Sequence, residues 1–503
     1  MRLHQLIREA GLPAVQASDL EITGITADSR QVEPGMLFVA IPGFTRDGHQ
    51  FVPQAISRGA AAVVVERDVS VPGGIKPIVT PDSRDALARL SSAFFGHPSR
   101  RLSVIGITGT NGKGTTAYLI EAMVSSAGRS CGIIGTMGAK IGETTIDLER
   151  TTPEAPELQR LLSEMVRRGM RYVAVEVASH ALALHRVTGM QFAAAVFTNL
   201  TQDHLDFHKT FDEYRAAKRR LFEMVEPGGV SVINVDDPSG AAMAASSRAR
   251  VVTYGITSAA DVRASDVRLH VGGAEFVVDT PHGRASLRSR LHGRFNVYNT
   301  LAAVAAAQWA GVSLDEIGPT LVDFAGVPGR FEAVSEGQPF AVVVDYAHTP
   351  DGLQNVLQTA KDFVRGRTIV VFGCGGDRDR TKRPIMGRLA ADLADVAVVT
   401  SDNPRTEEPV AIIEEILAGV RGSGSGVRES ESRAQLEVEP DRRRAIYRAI
   451  ALARPGDMVI IAGKGHEPYQ EVNGVRHAFD DRQVAREALQ HVRSGSPEHR
   501  SAP

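Results

Sequence analysis

Short runs of aliphatic and β-branched residues recur along the chain, and each ends in a polar, glycine-containing turn before a segment of helical period begins. In the middle of the chain the runs lie at 103–107, 172–177, 194–198 and 230–235; further on they lie at 340–344, 368–372, 396–400 and 458–462. A run apolar at every position fits a strand buried on both faces. Alternation of such strands with helices predicts parallel sheets covered on both sides. An amphipathic helix is expected after Asp82, and further helices at 117–127 and 211–222. Two turn-rich segments, GHPSR at 96–100 and GVPGR at 326–330, divide the chain into 1–99, 100–329 and 330–503, at ~100–200 residues per domain three independent cores. The Gly/Ser stretch 419–426 reads as a flexible surface loop, and the polar tail from Arg493 reads as frayed.

Composition narrows the class without naming a chemistry. The 503 residues are 43% hydrophobic, and Lys+Arg 57 against Asp+Glu 59 leaves a net charge of −2, which argues against nucleic-acid binding by bulk charge. Two cysteines, Cys131 and Cys374, rule out a disulfide framework or a cysteine zinc cluster. No apolar run reaches the ~18–20 residues of a membrane span, and the first residues lack the apolar stretch of a signal peptide. The expectation is a cytoplasmic protein with no nucleic-acid or membrane partner.

In parallel sheets ligands sit beyond the carboxyl ends of the strands, so the turns carry the candidate chemistry. The first run of the middle segment enters GITGTNGKGTT at 106–116. Glycines let successive backbone N–H groups curl around phosphate oxygens, the following helix adds positive potential, and Lys113 supplies a point charge. A phosphate-binding loop with Ser or Thr directly after the lysine uses that hydroxyl for Mg²⁺; here the position is Gly114, and Thr115 is the nearest hydroxyl. The second run ends at Glu176, a natural Mg²⁺ ligand near a bound nucleotide or else a salt-bridged strand end. The third runs into TNLTQDHLDFH at 198–208, where Asp203, His204, Asp206 and His208 can ligate a metal or cap a turn; His204 is the ligand chosen. In the next helix Lys218 falls on the apolar face with Tyr214, Leu221 and Phe222, the position of a snorkelling lysine. In the last segment four runs end at DYAHTPD, GCGGDRD, DNPR and GKGHE. At one end of one sheet these should converge on a single site. Arg405 can grip a carboxylate bidentately, and Glu467 can pair with an ammonium.

These motifs together, GTNGKGTT, EVASHAL, VFTNLTQDHLDFH, YRAAKRRLF and GRFNVYN at 293–299, with ADSRQVEPG at 27–35 and FVAIPG at 38–43, resemble the Mur ligases over nearly the whole chain. The resemblance implies an α/β protein of three domains: a small N-terminal UDP-binding domain, a central P-loop ATPase domain with a mostly parallel sheet, and a C-terminal Rossmann-like domain. It implies an ATP-dependent amide ligase of peptidoglycan precursor synthesis. DNPR is the signature of the subgroup that adds meso-diaminopimelate to the D-glutamyl γ-carboxylate of UDP-N-acetylmuramoyl-L-alanyl-D-glutamate. By position, Gly109, Thr110, Asn111, Gly112, Lys113, Gly114, Thr115 and Thr116 would hold ATP phosphates, and Asn296 and Asn299 the adenine. Arg330, Asp345 and His348 would touch the nucleotide from the last domain. Thr115, Glu176, His204 and a carbamylated Lys218 would serve Mg²⁺. Ser29, Thr151, Thr152, Ser179 and Arg186 would contact the UDP-sugar peptide, and Arg378, Asp402, Asn403, Arg405, Gly463 and Glu467 the diaminopimelate. A monomer that closes its last domain onto the central one is expected. Three rivals stand beside this: a lysine-adding relative, a folylpolyglutamate synthetase-like ligase suggested by GKGTT, and a catalytically silent scaffold suggested by Gly114.

Overall fold

The computed structural model describes residues 1–13, 20–44, 46–69, 71, 76–270, 272–361, 364–421 and 434–495. Its strands form three main sheets. Four parallel strands (Ile25–Thr26, Leu37–Val39, Ala62–Val65, Ile78–Val79) form the first, backed by the helix Ser83–Phe94 that Asp82 caps. An eleven-stranded sheet occupies the middle of the chain and a six-stranded sheet the end. No strand of these sheets falls within 96–100 or 326–330.

The fully apolar runs are strands because alternate residues feed two cores. In Ser103–Thr108, Val104 joins one core while Ile105 and Ile107 join the opposite one. Helices Lys113–Ser126 and Arg294–Trp309 cover one face; Ala155–Arg167 and Phe211–Glu223 cover the other. The centre is parallel, but both edges are antiparallel. Gly138–Ile141 and Thr144–Ile146 extend one side; on the other, Val262–His270 joins in parallel and Gly273–Thr280 and Gly283–Ser289 follow by antiparallel pairing. Burial alternates along Val262–His270, as expected of a strand with one wet face, and that polar alternation hides it from a search for continuous apolar runs. The helix expected at 117–127 starts earlier, at Lys113, directly on the glycine loop.

In the last domain the order Ala341–Asp345, Met458–Ala462, Thr368–Phe372, Val396–Val399 is parallel throughout, so four carboxyl ends lie along one edge. The loop expected at 419–426 is corrected over 419–421, which complete the helix Pro409–Arg421; residues 422–426 lie outside the described set. Gly419 serves helix packing: a Cβ there would lie 1.8 Å from the Pro384 carbonyl oxygen. Likewise 493–495 complete the helix Asp481–Gly495, and 496–503 lie outside the described residues.

Beneath the strand ends runs a fully buried ion pair. Arg442 meets Asp481 at 2.7 Å and donates to the carbonyls of Ala462 at 2.9 Å and Ser401 at 3.3 Å. Removing one partner strands a charge in the interior. Asp481→Ala is therefore expected to destabilise the last domain by about 3–5 kcal/mol, read as a lowered urea midpoint in denaturant unfolding.

Candidate active site

Strand Ser103–Thr108 delivers the loop that wraps Lys113. Gly109 (φ +156) and Gly112 (φ +83) are required here. A Cβ would lie 1.8 Å from Thr198 Oγ1 at Gly109 and 2.2 Å from Asn299 Oδ1 at Gly112. The Lys113 amine donates to the Gly109 carbonyl at 2.9 Å and the Thr110 carbonyl at 2.8 Å. Burial pushes it below the usual lysine range, with Glu176 and Asp203 pulling the other way. Glu176, at the end of Tyr172–Glu176, is buried and accepts from the Thr136 backbone N–H at 2.9 Å and the Thr136 hydroxyl at 3.2 Å. Thr116 is buried, with a hydroxyl that has no partner.

Beside the loop lies a cavity of about 790 Å³ shared by the central and last domains. Asn111, Gly112, Thr115, Asn296, Asn299, Arg330 and Asp345 all line it. Asn296 donates to the His292 carbonyl at 2.8 Å and accepts from Asn299 at 2.9 Å, which fixes both amides at the start of their helix. Arg330 lies over the Tyr346 ring at 4.4 Å, and Asp345 accepts from the Phe331 N–H at 2.6 Å. Burial pushes the Asp345 carboxyl up, against the nearby Arg330 charge. His348 does not line this cavity: its Nδ1 lies 2.7 Å from the Tyr346 carbonyl. Burial and the nearby Lys382 lower the His348 ring to about 4.

Lys218 departs from the snorkelling reading. Only 1% of it is exposed, its amine donates inward to the Gly109 carbonyl at 2.7 Å, and it sits over the Tyr214 ring at 4.5 Å. Burial, then the nearby Lys113 charge, lowers it well below the lysine range. His204 takes a left-handed backbone (φ +56), with Nε2 3.3 Å from Asp203 Oδ2 and its ring 4.6 Å from that of His180. Burial opposes the charge on Asp203, but His204 and Lys382 outweigh it and hold this carboxyl below its ordinary range.

The residues expected at the UDP-sugar peptide divide into two groups. Thr151, Thr152, Ser179 and Arg186 surround the end of Tyr172–Glu176. Thr151 meets the Thr136 hydroxyl at 3.1 Å, Thr152 donates to the Glu176 carbonyl at 2.7 Å, Ser179 meets His208 Nε2 at 2.9 Å, and Arg186 pairs with Glu154 at 2.9 Å. Ser29 lies apart in the first domain, bonded to Gln54 at 2.8 Å. The first domain touches the central domain through Phe44, edge-on to Phe207 at 5.8 Å.

On the last domain, Asn403 donates to Glu467 at 2.9 Å and accepts from the Lys464 amine at 2.8 Å. Asp402 Oδ1 lies 3.8 Å from that amine. Gly463 (φ +119) must be bare, since a Cβ would lie 2.6 Å from Asp402 Oδ2. Burial raises the Glu467 carboxyl, with Lys464 opposing. Arg405 has φ +51, an unfavourable backbone for a side-chain-bearing residue, and donates to the Gly376 carbonyl at 2.7 Å. Arg378 stands near Arg405, and burial, then that neighbouring charge, lowers its guanidinium. Arg405 Nε also faces Glu471 Oε2 at 3.5 Å.

The two edges meet. Asn111 of the glycine loop donates to Asp351 at 2.7 Å, Gln202 to Thr381 at 2.9 Å, and Lys382 faces Asp203 at 3.7 Å with both buried. Burial lowers the His466 ring to about 4. Lys382, Asp351, Lys464 and Thr136 were not singled out by sequence reasoning as site residues. The first two gain meaning only once the domains dock. Lys464 stands inside a recognised motif, and Thr136 follows the strand Cys131–Gly135, whose two glycines weaken its apolar run.

Comparison with known proteins fits this geometry. The chain matches the Mur ligase middle domain over residues 107–307, the Mur ligase glutamate ligase domain over 329–465 and the Mur ligase family catalytic domain over 21–95. It is 48% identical over 496 residues to the UDP-N-acetylmuramoyl-L-alanyl-D-glutamate–2,6-diaminopimelate ligase of Gloeobacter violaceus, covering 98% of this chain and 99% of that one. It is 47% identical over 501 residues to the ligase of the same name from Geobacillus thermodenitrificans, covering 98% of this chain and 100% of that one. A solved structure of a UDP-N-acetylmuramoyl-L-alanyl-D-glutamate–2,6-diaminopimelate ligase superposes with a TM-score of 0.68 at 35% identity, over 98% of this chain and 100% of that one. The chain belongs to the Mur ligase family.

Proposed function

We propose that this chain is an ATP-dependent ligase that joins meso-diaminopimelate to the D-glutamyl γ-carboxylate of UDP-N-acetylmuramoyl-L-alanyl-D-glutamate, a step of peptidoglycan precursor synthesis. The observation that carries the reading is the meeting of two strand-end edges across one cleft, with Lys382 facing Asp203 at 3.7 Å beside the Lys113 loop. A phosphate-holding edge thereby faces an edge bearing Arg378, Arg405 and Glu467.

A carboxylate is a poor electrophile because its leaving group would be oxide. Attack by the γ-carboxylate oxygen on the γ-phosphorus of ATP forms an O–P bond, releases ADP and gives an acyl phosphate. The diaminopimelate amine then adds to the carbonyl carbon, the C–O bond breaks, and inorganic phosphate leaves with the amine's proton released to solvent. In the first step two anions approach each other. Lys113 and the loop N–H groups of 109–116 stabilise the transferring phosphoryl. Asn296 and Asn299 hold the adenine; Arg330 and Asp345 complete the nucleotide site from the last domain. Thr151, Thr152, Ser179 and Arg186 hold the peptide arm, and Ser29 the uridine end. Asp402, Asn403, Gly463 and Glu467 take the reacting amino-acid end, while Arg378 and Arg405 take the distal carboxylate.

Among the described residues no three or more His, Cys, Asp or Glu side chains gather closely enough to hold a metal by themselves. The donors present suit Mg²⁺, which keeps waters and phosphate oxygens and takes one or two hard protein ligands. Glu176 is a buried carboxylate, bare glycines flank it, and Thr115 lines the nucleotide cavity. Glu176, Thr115, His204 and a carbamylated Lys218 are the residues that would hold it. When bound, the ion supplies positive charge to the phosphates. Lys218 fits carbamylation: burial favours its neutral amine, whose lone pair adds to carbon dioxide with loss of one proton, and the resulting anion lies near Lys113.

The test is phosphate release from ATP with the UDP-muramoyl dipeptide and each amino acid in turn. Release with meso-diaminopimelate, and little with lysine, is expected. Turnover with tetrahydrofolate plus glutamate, or none with any acceptor, would contradict the reading.

A further inference from the structure

The Glu176 carboxylate sits between two bare backbone positions. A Cβ at Gly114 would lie 3.3 Å from Glu176 Oε1, and one at Gly135 would lie 2.2 Å from the same atom. Position 114 is therefore the place from which a hydroxyl directly after Lys113 would reach this carboxylate, and this chain has none there. The hydroxyl that does reach it comes from the opposite side. Thr136 Oγ1 is 3.2 Å from Glu176 Oε2, while the Thr136 N–H holds Oε1 at 2.9 Å. The same hydroxyl meets Thr151 at 3.1 Å.

We infer that Thr136 is a cation-site residue of this chain, whose hydroxyl takes over the role that the glycine loop gave up at Gly114. Two features of the fold support the assignment. Bare Gly135 lets the carboxylate come close to the turn, so that both of its oxygens are held by one residue while Oε1 also lies beside Gly114 of the loop. Thr136 also joins Glu176 to the peptide-arm residue Thr151 through one hydroxyl. Oriented carboxylates of this kind bind a divalent ion more tightly than free ones, and losing the orienting group costs roughly 10–100-fold in metal affinity.

The inference rests on the proposed nucleotide and Mg²⁺ site, and the test separates the two. Affinity for ADP is measured by calorimetry with and without Mg²⁺, using the full chain. Wild type should bind ADP more tightly with Mg²⁺. Thr136→Val, with Thr136→Ala as a second variant should valine not fit, should lose about tenfold of that Mg²⁺-dependent gain while metal-free ADP affinity stays within about twofold. Thr136→Ser should keep the gain. Gly114→Ser placed in the Thr136→Val background should recover most of it, because the hydroxyl then approaches Glu176 from the other side; a merely structural threonine would show no such recovery. A full Mg²⁺-dependent gain in Thr136→Val and Thr136→Ala, or no recovery in the double variant, would overturn the assignment. Absence of any Mg²⁺-dependent gain in wild type would instead remove the nucleotide–metal site on which the assignment rests.

Discussion

Lys113→Ala is expected to lower kcat by on the order of 10²–10³-fold while leaving the KM for diaminopimelate within a few-fold. The amine is already aimed: it is buried, and the carbonyls of Gly109 and Thr110 hold it at 2.9 and 2.8 Å in a loop where Gly109 and Gly112 admit no side chain. Its charge is therefore available at the moment a phosphoryl group leaves ADP, with no reorganisation to offset it. Lys218 does not take its place: Glu176 and Asp203 support the charge on Lys113, whereas on Lys218 burial is joined by the repelling Lys113 charge. Steady-state phosphate release, paired with ADP affinity, is the check. Turnover within a few-fold of wild type would mean that Lys113 does not face the transferring group.

Arg405→Ala should act on the amino acid and discriminate between two of them. With Arg378 beside it, Arg405 presents a second positive charge to the last-domain cradle, and its left-handed backbone is held by the N–H bond to the Glu471 carbonyl at 3.0 Å and by accepting from the Asn473 N–H at 2.7 Å. Diaminopimelate carries a distal carboxylate that lysine lacks. Loss of a charge-assisted bidentate contact should reduce kcat/KM for diaminopimelate by roughly 10–100-fold and alter that for lysine by far less. Equal losses on both amino acids would place the arginine elsewhere in the site. Arg405→Lys should recover little, because an ammonium does not reproduce the planar fork.

Much of this was legible in the chain. A buried strand running into glycines, a lysine and a helix dictates a phosphate loop, and four parallel strands ending in polar motifs dictate one shared edge. The illegible parts share a physical cause. Val262–His270 and its partners alternate polar with apolar residues because one face is wet, so they lack the continuous runs that marked the other strands. Lys218 lies on an apolar helical face whether its amine escapes to solvent or turns inward; only the Gly109 carbonyl decides, and that lies in a distant loop. Lys382 and Asp203 become partners through domain docking, which no local pattern encodes. Gly419 looked like a linker residue because close helix packing and a flexible loop ask for the same small side chain.

The central claim is that this cleft moves a phosphoryl group onto a peptide carboxylate before an amine displaces it. It is tested most directly by placing heavy oxygen in the D-glutamyl γ-carboxylate of the UDP-muramoyl dipeptide and analysing both products by mass spectrometry. The account predicts that one labelled oxygen leaves with inorganic phosphate while the other stays in the new amide. Unlabelled phosphate released alongside amide product would contradict it.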